Sequence, residues 1–201
     1  MQSYERLLYF IVKNFFMIIC IVGKSGSGKS YICELFKKMS SEFVHLDIDK
    51  VGHLILNDEN VIKNLIEVFG TSDRKSIAKI VFDSEKEMDK LTDITWKSME
   101  VYIDSFINNN KDKIILLDWQ LLPKTKYFES SDLRIYIEAP LEIRMKKTVI
   151  RDNITKDDFL LREKASYNFD NLKFDYTIIN DYSDKIKMLV REIYVKSIIS
   201  R

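Results

Sequence analysis

The sequence predicts an α/β protein built on a doubly wound, parallel, five-stranded sheet. Three observations lead there. Short β-branched apolar runs alternate with helical patterns. The runs stay apolar instead of alternating between two faces. No linker, repeat or low-complexity tract divides the 201 residues, which include only two prolines. Continuously apolar strands suit a sheet covered on both sides, and strand–helix alternation suits parallel pairing. The length suits one domain with room for a small inserted subdomain.

The first run is "FMIICIV" (16–22). Residues 1–16 read as an N-terminal extension, or as the product of a misassigned start, because Met17 would open the strand naturally. The longer stretch "LLYFIVKNFFMIICIVG" is apolar over roughly a membrane span. Lys13 and Asn14 interrupt it, however, and no small-residue cleavage site follows, so a strand is expected and no membrane partner. A helix follows over about 29–39, then "FVHLD" (43–47). Between Val51 and Asn110 no strand is found, only helical periodicity, with Met88, Leu91, Met99, Tyr102, Ile103 and Phe106 at near-helical spacing. That marks a helical insertion of about 51–110. The remaining strands are "KIILLD" (113–118), "LRIYIE" (133–138) and "YTIIN" (176–180). Helices are expected at about 140–151, 156–167 and 183–198.

Composition excludes some classes of function. The 32 basic and 31 acidic residues leave a net charge of +1, without the basic excess of a sequence-independent nucleic-acid binder. The 24 lysines against 8 arginines, with 27 isoleucines and 3 alanines, read as codon bias of an A/T-rich genome. Cys20 and Cys33 are too few for a disulfide framework and suit buried thiols in a reducing, cytoplasmic compartment. Two cysteines and two histidines that never cluster along the chain argue against a zinc site.

"GKSGSGKS", Gly23 to Ser30, has the form GxxxxGK[ST] between a strand and a helix. Gly26 and Gly28 permit backbone conformations and close approaches that a Cβ would block. The successive N–H groups of Ser25, Gly26, Ser27, Gly28, Lys29, Ser30 and Tyr31, together with the helix N-terminus, suit phosphate oxygens. Lys29 suits the β- and γ-phosphates of a nucleoside triphosphate, and the Ser30 hydroxyl is the expected Mg²⁺ ligand.

Asp47 and Asp49 lie where the second strand ends. Ligands of open α/β sheets sit outside the carboxyl ends of the strands, so both acids border the phosphate site. A carboxylate there can orient an attacking hydroxyl and take its proton, or hold Mg²⁺ through water; alternatively, Asp49 N-caps the next helix. Asp118 ends its strand similarly, either assisting the metal or simply terminating the strand. In "IRMKKTVIRDNITKDDFLLREKAS", Arg144, Lys147 and Arg151 fall at i, i+3 and i+7, on one side of a helix that "DNIT" breaks. This helix pair, about 143–166, is either a cationic lid or a salt-bridged hairpin.

The ordered set "GSGKS … DIDKVGH … VFG … DRKSIAKIVFDSEKEMDKLTDI … LLDWQLLPK … LRIYIEAPLEIRMKKTVIRDNIT … FDYTIIND" resembles dephospho-coenzyme A kinase over about residues 17–181. The resemblance implies a P-loop kinase fold with a helical substrate-binding insertion and a lid. It implies transfer of the ATP γ-phosphate to the 3′-hydroxyl of dephospho-CoA. A monomer or small homo-oligomer is expected. On that resemblance Asp49 is the general base, Asp47, His53 and Arg74 lie on the substrate side, Lys147 and Arg151 are the basic lid positions, and Asn180 lies near the adenine. Asp118 joins the substrate-side group. The chain departs from the family pattern at Trp96–Lys97 (for His–Pro), at Gln120 and Lys124 within "DWQLLPK", at Lys147 (for arginine) and at Ser166 (for glutamine). These departures bear on the acceptor more than on ATP. Alternatives are a nucleoside or nucleotide kinase, or a nucleotide-binding homologue without turnover.

Overall fold

A computed structural model of the chain describes residues 16–82 and 84–200. Its helices, in chain order, are α1 (Lys29–Lys37), α2 (Ile48–Ile55), α3 (Glu59–Phe69), α4 (Arg74–Phe82), α5 (Glu85–Asn108), α6 (Lys126–Glu129), α7 (Leu141–Asp152), α8 (Lys156–Lys164) and α9 (Lys185–Tyr194). Its strands are β1 (Met17–Val22), β2 (Phe43–Asp47), β3 (Ile114–Asp118), β4 (Leu133–Glu138) and β5 (Tyr176–Ile179). The chain forms two compact units, one of the residues up to Leu46 with those from Asn110 onward, the other Asp47–Asn109.

The first unit holds the sheet, ordered β2-β3-β1-β4-β5, so that β1 lies at its centre. β1 runs parallel to β3, with Met17 beside Ile114 and Ile21 beside Asp118, and parallel to β4, with Val22 beside Tyr136. β4 in turn runs parallel to β5. All five residues of β3 are buried, as its unbroken apolar character requires. In α1 the buried residues are Ile32, Cys33, Leu35 and Phe36, one stripe that packs with Met17, Ile19, Ile114 and Ile135 in a single core. Phe36 and Ile32 are fully buried, so truncating Phe36 to alanine would cost about 3–5 kcal/mol.

The expected "DNIT" break is made by Asn153, which ends α7 in the left-handed region at φ 51°. Thr155 then starts α8 with a reciprocal cap, its hydroxyl accepting from Asp158 N (3.1 Å) while Asp158 accepts from Thr155 N (3.0 Å). The expected helices at 29–39, 156–167 and 183–198 end earlier as α-helix, at Lys37, Lys164 and Tyr194, and the last continues as a π-helical turn over Val195–Ile199.

Among its described residues the second unit contains helices and their connections, and no strand after Asp47. Val61, Leu65, Ile77 and Val81 form its core, with Leu56, Phe69, Leu91 and Ile94 packed against them. Asp58 caps α3 by accepting from Asn60 N (2.9 Å) and Val61 N (3.2 Å), and Gly70 ends it in the left-handed region. Ser84 caps the long α5. Of the periodic residues read from the sequence, Met99 and Ile103 are buried, whereas Met88 and Tyr102 are largely exposed. The period is that of a helix, but its apolar stripe is only partly covered.

The expected extension at 1–16 lies outside the described residues except for Phe16. The apolar stretch that could mimic a membrane span supplies β1, and among the described residues no helix is long and apolar enough to cross a membrane.

Candidate active site

β1 ends at Val22 among its neighbours' carboxyl ends, and the loop that follows is drawn tight. Ser27 N donates to Lys24 O (3.1 Å), and Ile32 N donates to Gly28 O (3.0 Å) to start α1. Gly26 (φ 75°) and Gly28 (φ 94°) adopt conformations that side chains disfavour. A Cβ on Gly26 would come within 2.5 Å of Thr148 Oγ1 and 2.7 Å of the Arg144 carbonyl; one on Gly28 would collide with the Asn180 amide. Among the described residues no side chain caps α1, so its first-turn N–H groups are available to an anion.

Beside this loop the Ser30 hydroxyl donates to Asp118 Oδ2 (2.7 Å). Lys29 Nζ stands 3.9 Å from Asp118 Oδ1, and His45 Nε2 approaches Oδ2 at 3.4 Å. Asp118 is 2% exposed. Burial pushes its carboxyl up, but the His45 ring, the Lys29 ammonium and the Ser30 hydroxyl together hold it below the usual carboxylate range. Ser30 and Asp118 thus form a pair of oxygen ligands of the kind that suits a hard cation. Cys33, His45 and Asp118, far apart in the chain, bring their ligand atoms within 4.8 Å of one another.

A cleft of about 400 Å³ is lined by Gly26, Gly28, Lys29, Ser30 and Tyr31 from the loop and α1, by Lys147 and Arg151 from α7, and by Tyr182. The structure therefore brings the expected loop residues and both expected basic positions together. Lys147 Nζ lies 3.8 Å from the centre of the Tyr182 ring, a cation–π contact, and Arg151 donates to Ser25 Oγ (3.3 Å).

Arg144, third of the basic set, does different work. It is buried, donates through two nitrogens to Glu163 (2.7 and 2.9 Å), and reaches the Ala139 carbonyl (3.1 Å). Lys24 Nζ meets the same Glu163 at 2.8 Å. Arg144 foremost, then Lys24, holds the Glu163 carboxyl below its ordinary value despite burial. The two readings of this segment are both met, and Arg151 belongs to each. Arg144–Glu163 and Arg162–Asp152 lock the helix pair, while Lys147 and Arg151 line the cleft, Arg151 also pairing with Asp152 at 2.7 Å.

Asn180 also acts in a way the sequence does not disclose. It is fully buried and braces the loop. Its amide donates to Ser27 O (2.9 Å) and accepts from Tyr182 N (3.1 Å), while Tyr182 OH donates to Gly26 O (3.2 Å). Tyr182 itself, at φ 62°, is a non-glycine residue in the left-handed region and was not singled out from the sequence. Glu163 and Tyr182 carry no local motif, and only their distant partners reveal them.

The acidic and substrate-side residues Asp47, Asp49, His53 and Arg74 belong to the helical unit. β2 ends at Asp47, and Asp47, not Asp49, caps α2, accepting from Lys50 N (3.2 Å). Asp49 is exposed in the first turn of that helix. His53 and Arg74 meet, Arg74 Nη2 lying 2.6 Å from His53 Nδ1. With the guanidinium donating, that nitrogen accepts and the ring proton sits on Nε2. At the departures from the family pattern, Ser166 donates to Glu163 O (2.7 Å), Gln120 is half-buried after β3, and Lys124 is exposed in a 3-10 turn.

The family model for dephospho-CoA kinase (CoaE) matches residues 17–183. The dephospho-CoA kinase of Aquifex aeolicus is 28% identical over 189 residues, covering 88% of this chain and 95% of its own. That of Clostridium tetani is 28% identical over 188 residues, covering 87% and 82%. Among solved structures, TT1252 from Thermus thermophilus superposes with a TM-score of 0.76 at 21% identity, over 89% of this chain and 95% of its own. Dephospho-CoA kinase from Campylobacter jejuni gives 0.57 at 20%, over 90% and 96%. At those identities the structural likeness speaks to the fold.

Proposed function

The chain belongs to the dephospho-CoA kinase family, and from that premise we propose how its residues divide the work. The reaction is transfer of the γ-phosphate of ATP to the 3′-hydroxyl of dephospho-CoA, a phosphotransferase reaction with an alcohol acceptor. The observation that carries the division is the convergence of the glycine loop, Lys29, Lys147 and Arg151 on one cleft.

The N–H groups of the loop and of the first turn of α1 hold the ATP phosphates, and Lys29 offsets the charge of the β- and γ-groups. Lys147 and Arg151 supply further positive charge at the transferring group, with the α7–α8 pair as lid. Ser30 and Asp118, already hydrogen-bonded, fit a divalent cation with oxygen ligands. Mg²⁺ held there would neutralise phosphate charge.

Asp49 serves as general base. β2 runs out at Asp47, the carboxyl end where ligands of parallel sheets bind, and Asp49 follows two residues later. It orients the 3′-hydroxyl and takes its proton as the new O–P bond forms and the bond to the ADP oxygen breaks. Asp47 caps the helix that carries Asp49, and the exposed His53–Arg74 pair offers cationic and hydrogen-bonding groups to the acceptor's phosphates. The unit Asp47–Asn109 is thus the acceptor-binding part.

A coupled ADP-release assay of the purified protein with ATP and Mg²⁺, against dephospho-CoA and a nucleoside panel, tests the reading. Release dependent on dephospho-CoA and abolished by chelation is expected. Phosphorylation of a nucleoside but not of dephospho-CoA would overturn the acceptor.

A further inference from the structure

We infer that Cys33, His45 and Asp118 form a site for a thiophilic divalent cation such as Zn²⁺, immediately behind the phosphate loop. The three come from α1, β2 and β3, and their Sγ, imidazole nitrogen and carboxylate oxygen all lie within 4.8 Å of one another. One sulfur, one nitrogen and one oxygen make the donor set of a borderline-soft ion, unlike the all-oxygen pair of Ser30 and Asp118. Ligand atoms around tetrahedral zinc stand about 3.3–3.8 Å apart, given metal–ligand bonds of about 2.0–2.3 Å. His45 Nε2 and Asp118 Oδ2, at 3.4 Å, already have that spacing, and the sulfur needs a shift of at most about 1.3 Å.

A second observation points to the same ion. His45 is nine-tenths buried, and its Nε2, 3.4 Å from Asp118 Oδ2, makes no hydrogen bond of good geometry. A buried nitrogen so weakly satisfied costs free energy, and binding a metal through its lone pair removes that cost. Binding replaces the Cys33 thiol proton, which leaves to water, by a sulfur–metal bond.

The consequence is antagonism. With its charge drawn to the soft ion, Asp118 is a weaker partner for the Ser30 hydroxyl and for Mg²⁺, so zinc at this site works against the magnesium pair. That second half rests on the reading of Ser30 and Asp118 given under Proposed function; the site itself does not.

Cobalt(II) titration of the apo protein tests the site without reference to turnover. One equivalent should produce a thiolate-to-cobalt charge-transfer band in the near-ultraviolet that zinc abolishes. Cys33→Ala should lose the band, and His45→Gln should weaken cobalt binding at least tenfold, with melting curves reporting that both fold. The only other thiol, Cys20, is buried and pushed up to about 12, so the assignment is clean. No band, or a band that survives Cys33→Ala, would overturn the site. In the kinase assay with excess Mg²⁺, Cys33→Ala should turn over within about twofold of wild type and need at least tenfold more zinc for half-inhibition. Equal zinc sensitivity would overturn the antagonism. A protein that binds cobalt as described but never phosphorylates dephospho-CoA would refute the kinase reading and leave the metal site standing.

Discussion

The phosphate half and the helical half hold their chemistry in opposite ways. In the sheet unit Asp118 and Asn180 are buried, Lys29 is nearly so, and each has partners that fix it. In the helical unit Asp49, His53 and Arg74 are exposed on helix surfaces. The contrast teaches that the donor site is built before ligands arrive, at the cost of burying charge. The candidate acceptor groups remain solvated and gain strength only when a bound substrate displaces that water.

Four measurements can break or sharpen this contrast. Lys29→Ala should have the largest effect, lowering kcat/KM by about 10³-fold, as for loss of a preorganised donor to developing charge. A loss below tenfold would mean that preorganisation of the buried half contributes little. Asp49→Ala should lower kcat by about 10²-fold while leaving ATP binding by calorimetry unchanged. Weakened ATP binding would join the two halves that the contrast separates.

Asn180→Ala should raise the KM for ATP about tenfold and lower stability in urea titration by about 1–3 kcal/mol, since the Ser27 carbonyl loses its buried donor. Unchanged KM would show that the loop holds its shape without the brace. Glu163→Gln should touch stability alone, by about 1–3 kcal/mol at neutral pH, because the buried Arg144 guanidinium loses its charged partner. Its folded value lies below the ordinary 4.5, so the ion pair stabilises fully above 4.5 and is lost as pH falls through the folded value. The acid limb of a Tm-against-pH profile should therefore be shallower in the variant. Parallel profiles would remove Glu163 from the acid response.

Much of this molecule was legible in the sequence because its signals are local. A five-residue apolar run such as "IILLD" states its burial directly, and GKSGSGKS sits between a readable strand and a readable helix. The helix ends were less legible because caps depend on one side chain's geometry. Asp47 and Asp49 are both good capping residues, and only the fold decides that Asp47 takes the role. What could not be read is pairing across the chain. Glu163 meets Lys24 over 139 positions, Asn180 meets Ser27 over 153, and Cys33, His45 and Asp118 come from three elements. Arg144 shared a stripe with Lys147 and Arg151, and spacing alone could not tell the locked cation from the two that line the cleft.

The close approach of Gly26 to α7 has a mechanical consequence. With the Arg144 carbonyl and Thr148 packed where a Cβ would sit, and Arg144 locked to Glu163, the base of the α7–α8 pair behaves as a fixed fulcrum. Any swing of the arm that carries Arg151 must turn beyond Thr148, toward the left-handed bend at Asn153. The arm is short, so its travel is set by the last turn of one helix. A larger residue at position 26 would pry the fulcrum open.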